Sequence, residues 1–295
     1  MKPTILVALP GAEAFAEQLV RPGRLELGLL ATRRFPDGER YLRLLFDPRG
    51  RRVEIVGELS AADEKFLTLA FIVDTLRELG AAHVGLVAPY LAYMRQDARF
   101  QAREAVTSRT FSRLLSGAVD RLITVDPHLH RYKSLDDLYT IPTVTLGAAS
   151  AIGAWIATCM HDPLIIGPDT ESEPWARDIA ARASAPFVVL AKTRVGDRDV
   201  HLKAPDLSAY AGRQPVLIDD IASSGRTLAA AARVLNAKGF GRPVCVVTHA
   251  IFGGRAFGRL APLTDRIVST DTISHITNAI SIAPLVAEAL VADFG

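Results

Sequence analysis

Short runs of β-branched and apolar residues recur along this chain, separated by longer stretches with apolar residues at helical spacing. The runs are TILVALP, YLRLLF, VEIVGEL, VGLVAPYL and LITVDPH, then PLIIGPD, FVVLAK, PVLIDDI, VCVVTHAIF and IVSTDT. A strand covered on both faces reads as a continuous apolar run, and joining such strands in parallel requires a crossover, usually a helix. The alternation therefore predicts an α/β fold of mainly parallel sheets flanked by helices. Two crossover helices are legible directly. DEKFLTLAFIVDTLRELG, residues 63–80, has helical periodicity and stops at Gly80, and residues 225–239 behave likewise up to Gly239.

With 295 residues the chain is near the limit for one core, so two domains of about 140 residues each are expected. YTIPTVTLGAAS, residues 139–150, carries a proline and small residues between the two strand series and places the division near residue 145. The expected domains are 1–145 and 146–295, similar in pattern though without a residue-level repeat. SIAPLVAEALVADFG reads as a short helix that docks on a domain face, with the N-terminal domain as a candidate. A net charge of only +2, with Arg34, Arg49, Arg51 and Arg52 interspersed with acids, argues against a nucleic-acid partner. Cys159 and Cys245 lie in apolar stretches and read as buried thiols in a reducing compartment. The opening MKPTILVALPGAEAF is too short for a secretory h-region, and no apolar run reaches membrane-spanning length, so the reading is cytoplasmic.

The most informative segment is VLIDDIASSGRTL, residues 216–228: an apolar strand, two adjacent acids, a small-residue loop and an Ala-rich helix. Backbone N–H groups of residues 223–227 with the hydroxyls of Ser224 and Thr227 can ring a phosphate at the helix N-terminus, where the dipole also favours an anion. Asp219 and Asp220 can accept hydrogen bonds from ribose hydroxyls. A bland alternative is a strand end with an acidic turn and an N-cap.

This segment resembles the phosphoribosyl-diphosphate signature shared by type I phosphoribosyltransferases and ribose-phosphate pyrophosphokinases. Two N-terminal segments separate those groups. RFPDGERYLRL resembles the pyrophosphokinase F-x-D-G-E segment, and APYLAYMRQDARF resembles its P-Y-x-x-Y-x-R-Q-D; phosphoribosyltransferases have neither. The resemblance implies two type I phosphoribosyltransferase-like domains and an ATP site containing Phe35, Asp37, Glu39, Arg95, Gln96 and Asp97, part of it donated by a neighbouring subunit. Phe35 offers a stacking face and Arg95 a charge for phosphate. Taken singly, D-G-E is also a plain turn and R-Q-D a solvated helix start.

Further likenesses extend from about residue 5 to 292. LITVDPHLH resembles the family strand ending in D-x-H, mapping a magnesium-associated histidine to His128, with His130 second; IIGPDTE maps the corresponding acid to Asp169. AKTRVGDRDVHL presents Lys192 and Arg194 where the family has a catalytic loop with K-x-R. VSTDTISH and SIAPLVAEAL resemble the family's closing segments, and the wording D-D-I-x-S, K-T-R and D-P-H is similar to short archaeal-type members. The implied sugar-phosphate residues are Asp219, Asp220, Ser223, Ser224, Gly225, Arg226 and Thr227. The implied partners are ATP, ribose 5-phosphate, Mg2+ and further copies of the chain, in oligomers built from dimers. Arg226 replaces a usual glycine, so it either cramps a loop needing positive φ or sets a guanidinium on the 5-phosphate. Thr170, Glu171 and Ser172 also depart from the pattern. A non-catalytic regulatory homologue and a phosphoribosyltransferase are the alternatives.

Overall fold

The computed structural model describes residues 2–195 and 199–292, with the backbone alone at 192–195 and 199–203. It divides into two compact units: residues up to Leu146 together with the segment from Ala283, and residues Gly147–Ile282. The first unit contains β1 (Thr4–Ala8), α1 (Glu13–Leu19), β2 (Leu25–Leu27), β3 (Leu30–Arg34), β4 (Arg40–Leu44), β5 (Arg52–Val56), α2 (Ala62–Glu78), β6 (His83–Ala88), α3 (Thr107–Ala118), β7 (Arg121–Val125) and β8 (Thr143–Leu146). Six of these strands form a parallel sheet in the order β2-β1-β5-β6-β7-β8.

The second unit contains α4 (Ala149–Cys159), β9 (Pro163–Gly167), α5 (Glu173–Ala183), β10 (Phe187–Val189), β11 (Ala191–Val195), β12 (Asp199–Lys203), β13 (Gln214–Ile221), α6 (Arg226–Ala237), β14 (Val244–His249), α7 (Ala256–Leu260), β15 (Arg266–Thr270) and β16 (Asn278–Ile280). Its sheet is also parallel, in the order β10-β9-β13-β14-β15-β16. Counted within its own unit, each sheet runs 2-1-3-4-5-6, and each carries an antiparallel hairpin, β3–β4 or β11–β12, between its second and third strands. The duplicated pattern read from the sequence is thus a duplicated topology.

The central strands Val53–Val56 and Val216–Ile218 are almost wholly buried, as expected of strands with helices on both faces. α2 and α6 end where Gly80 at φ +87° and Gly239 at φ +83° take up the left-handed conformation. α6 presses Leu228, Ala229, Ala231, Ala232 and Leu235 into a core shared with Leu217, Cys245 and Val247; small alanines let it approach the sheet closely. The last helix, α8 (Ala283–Ala292), packs against α1 in the first unit.

Two expectations need correction. YLRLLF is not a strand of the parallel sheet but half of the β3–β4 hairpin, where exposed Arg43 between half-buried Leu42 and Leu44 leaves one face open. Cys159 is exposed at the end of α4, whereas Cys245 is buried in β14. Among the described residues no helix is long and apolar enough to cross a membrane.

Candidate active site

In a 2-1-3 sheet the chain leaves the first and third strands in opposite directions, and the crevice beyond their carboxyl ends is where such sheets bind ligands. In the second unit that point lies between β9 and β13, and Asp169, Asp219 and Asp220 stand at it. Asp169 follows β9 and caps the turn Thr170–Ser172, accepting from Glu171 N at 3.2 Å while Ser172 Oγ donates to its carbonyl at 2.6 Å. Glu171 itself is exposed, so the extra acid points outward. Burial, then the charges of Asp220 and Asp169, hold the Asp219 carboxyl well above the usual carboxylate value. The three acids of this unit thus lie near enough for their charges to favour a proton on Asp219.

Beyond β13 the chain turns through Ala222–Gly225 into α6. Gly225 is the N-cap residue and carries the positive φ, +64°, while Arg226 is already helical and exposed. The fear that Arg226 cramps the loop therefore falls away: the left-handed position is one residue earlier and is still glycine. The loop carbonyls are tied to the segment after β14. Phe252 N donates to Ala222 O at 2.7 Å, Gly253 N to Ser223 O at 3.1 Å, and Arg259 Nη1 to Ser224 O at 2.6 Å. The first turn of α6 leaves N–H groups without intrahelical acceptors, so loop and helix together offer donors to an anion.

The equivalent loop of the first unit, between β5 and α2, has a different occupant. Its N-cap, Ala61, is also left-handed at φ +52°. Here Glu58 fills the turn: Ser60 N donates to its Oε2 at 2.5 Å, and Lys65 Nζ bonds both its carboxylate and its carbonyl, the latter at 3.1 Å. A side-chain carboxylate sits where the second unit leaves its donors to an outside anion.

The remaining predicted residues with described side chains lie in the first unit. Phe35, Asp37 and Glu39 form the tip of the β3–β4 hairpin, closed by Phe35 N to Glu39 O at 2.8 Å and Glu39 N to Asp37 Oδ1 at 3.1 Å. Phe35 is 36% exposed, and the Arg33 guanidinium lies over one face of its ring, 4.5 Å from the centroid. Arg95, Gln96 and Asp97 lie on another element, the loop after β6. Arg95 is exposed, Gln96 Oε1 accepts from Thr107 Oγ1 at 3.1 Å, and Asp97 is buried. Asp97 Oδ1 accepts from Arg131 Nη1 at 2.7 Å and its carbonyl from Tyr132 OH at 3.2 Å. This draws the R-Q-D loop together with the D-P-H-L-H segment after β7, where the His128 and His130 rings meet edge to face at 4.1 Å. Tyr93, at φ +63°, turns the chain just before Arg95 and is held by Asp63 and by Phe111, 4.8 Å between ring centroids.

Lys192 and Arg194 lie in β11, the counterpart of β3, but their side chains fall outside the described residues. Arg131, Arg259 and the Glu58–Lys65 pair were not foreseen. Only the topological repeat, visible once the strands are ordered, signals Glu58.

Fold and loop define a phosphoribosyltransferase-type α/β protein, and residues 134–281 match the phosphoribosyl transferase domain. Residues 4–118 match the N-terminal domain of ribose phosphate pyrophosphokinase. The ribose-phosphate pyrophosphokinase of Methanosarcina acetivorans is 32% identical over 288 residues, covering 97% of this chain and 98% of the relative. That of Methanopyrus kandleri is 34% identical, covering 90% and 91%. The chain belongs to the ribose-phosphate pyrophosphokinase family. The phosphoribosylpyrophosphate synthetase structure from Mycobacterium smegmatis has the same fold, with a TM-score of 0.85 over 99% of both chains at 23% identity.

Proposed function

We propose that this chain transfers the β,γ-diphosphoryl group of MgATP to the C1 hydroxyl of ribose 5-phosphate, giving 5-phosphoribosyl 1-diphosphate and AMP. The observation that carries the reading is the pairing of an open phosphate loop beneath Asp219 and Asp220 in the second unit with a first-unit loop filled by Glu58. Among the described residues the second unit then supplies the sugar-phosphate cradle, and the first unit is left for the nucleotide.

In this reading the N–H groups of Ser224, Gly225 and Thr227, the Ser223 hydroxyl and the Arg226 guanidinium take the 5-phosphate, while Asp219 and Asp220 accept from the ribose hydroxyls. Phe35 stacks on adenine, Asp37 and Glu39 accept its polar hydrogens, and Arg95 and Gln96 meet the phosphates. Asp97, through its ion pair, holds Arg131 at the same loop. The sugar C1 oxygen forms its bond to the β-phosphorus as the bond from that phosphorus to the AMP oxygen breaks. Lys192 and Arg194 neutralise charge on the transferring group, an effect largest in the transition state.

The donor set suits a magnesium ion. The like charges of Asp169 and Asp220 that raise Asp219 are what a cation relieves. Among the described residues no three His, Cys, Asp or Glu side chains are grouped to enclose a metal, and magnesium that keeps waters and takes phosphate oxygens needs only one or two carboxylates. Asp169 in the second unit and, taken separately, His128 in the first are the residues that would meet such an ion, and its chemistry would be to neutralise the polyphosphate. A cytoplasmic homo-oligomer built from dimers completes the reading.

Calorimetric titration with ribose 5-phosphate tests it. Wild-type protein binds the sugar and Asp220→Asn binds it about 10- to 100-fold more weakly, the loss of a charged hydrogen bond of about 1.5–3 kcal/mol. Equal affinity in the two proteins places the sugar elsewhere.

A further inference from the structure

A trans peptide sets the C=O of one residue antiparallel to the N–H of the next. A contact that fixes a carbonyl on one side of a loop therefore aims the following N–H to the other. In Ala222–Gly225 three successive carbonyls are held from the side of the 252–259 segment. Two of the three bonds, from Phe252 N and Gly253 N, come from backbone and are indifferent to side-chain identity. The third, onto Ser224 O, comes from the Arg259 guanidinium at 2.6 Å, reaching across 35 residues of sequence. Ser224 C=O belongs to the peptide that supplies Gly225 N–H, the residue at φ +64° on which the loop pivots.

We infer that Arg259 is a positioning residue for the sugar-phosphate loop: by holding Ser224 O it aims the Gly225 N–H at the 5-phosphate and places a positive charge behind the loop. The inference rests on the proposed ribose 5-phosphate site. A second contact supports the arrangement. A Cβ at Gly225 would lie 3.3 Å from Ala256 O and 3.6 Å from Ala256 Cβ, so α7 packs directly under the pivot, one turn before Arg259. Arg259 is exposed, and its removal leaves the packed core untouched. Guanidinium geometry matters here, because a planar fork can donate to the carbonyl while its other N–H groups stay in solvent.

The test uses Arg259→Met, which keeps the apolar stem, and Arg259→Lys, which keeps the charge and one donor. We expect the Michaelis constant for ribose 5-phosphate, and its dissociation constant by calorimetry, to rise about tenfold in the Met variant, equivalent to about 1.4 kcal/mol. The Lys variant recovers part of that loss. The Michaelis constant for ATP and turnover at saturating sugar stay within about twofold in both. Unchanged sugar affinity in the Met variant of an active enzyme overturns the inference alone. Equal losses for ATP and sugar together with a lowered melting temperature also overturn it, because they indicate a general structural role. Wild-type protein that neither binds nor consumes ribose 5-phosphate removes the functional reading and the inference with it.

Discussion

Gly225→Ala puts the loop geometry to a quantitative test. Gly225 sits at φ +64°, where a residue with a Cβ is disfavoured by about 1–2 kcal/mol. The new methyl also lies 3.3 Å from Ala256 O, so the α7 backbone must yield by a few tenths of an ångström, adding about 1 kcal/mol. The total of about 2–3 kcal/mol lowers the melting temperature of the second unit by about 5–10 °C. The loop can relieve the strain by rotating the 224–225 peptide, which turns its N–H from the phosphate and raises the sugar Michaelis constant about 10- to 100-fold. Gly225→Asn separates the two contributions. Asparagine tolerates the left-handed region but keeps the Cβ contact, so it should lose only about 1 kcal/mol. Scanning calorimetry and initial-rate kinetics on the three proteins give the comparison. An alanine variant with wild-type melting and wild-type sugar kinetics would refute the positive-φ pivot and the phosphate geometry derived from it.

Two other predictions concern charge. Asp219 has a folded-state proton affinity raised above its unfolded value, so the folded protein holds the extra proton as pH rises from about 4, and stability falls through that window toward the raised value. Asp219→Asn should therefore unfold at higher urea than wild type at pH 7–8 in EDTA, with the difference vanishing toward pH 4 and sugar turnover lost; no stability gain contradicts the burial argument. Lys192→Ala should reduce turnover by about a hundredfold, or about 2.7 kcal/mol, with ATP affinity little changed, measured by single-turnover AMP formation beside equilibrium ATP binding. Weaker ATP binding at unchanged turnover would assign Lys192 to ground-state binding.

The strands of both sheets were legible where helices cover both faces, as in VEIV and PVLI, because burial on two sides leaves no polar alternation to misread. Of the three-residue strands, β10 was legible because FVV is wholly apolar, whereas β2 (LEL) and β16 (NAI) each carry a polar residue and were not. YLRLLF misled because its apolar residues outnumber its one arginine, although exposed Arg43 marks the open face. Among the site residues, Asp219 to Thr227 form one continuous segment, and local sequence carried them. Arg131 and Arg259 are brought in by packing from 34 and 35 residues away, and nothing local marks an arginine that will hold a particular carbonyl or carboxylate. The position of Gly225 as pivot was half visible: a glycine requirement was foreseen, but at residue 226, because an N-cap and a first helical residue differ in backbone angles rather than in composition.

The central claim is diphosphoryl transfer, and product analysis tests it most directly. Purified protein is incubated with MgATP labelled in the β-phosphate, with and without ribose 5-phosphate, and the products are separated. The account predicts AMP and labelled 5-phosphoribosyl 1-diphosphate in equal amounts, formed only when the sugar is present. Formation of ADP with a bisphosphorylated sugar would show attack at the γ-phosphorus instead. ATP left intact under conditions where both substrates bind would contradict catalysis and leave a binding protein on the family's fold.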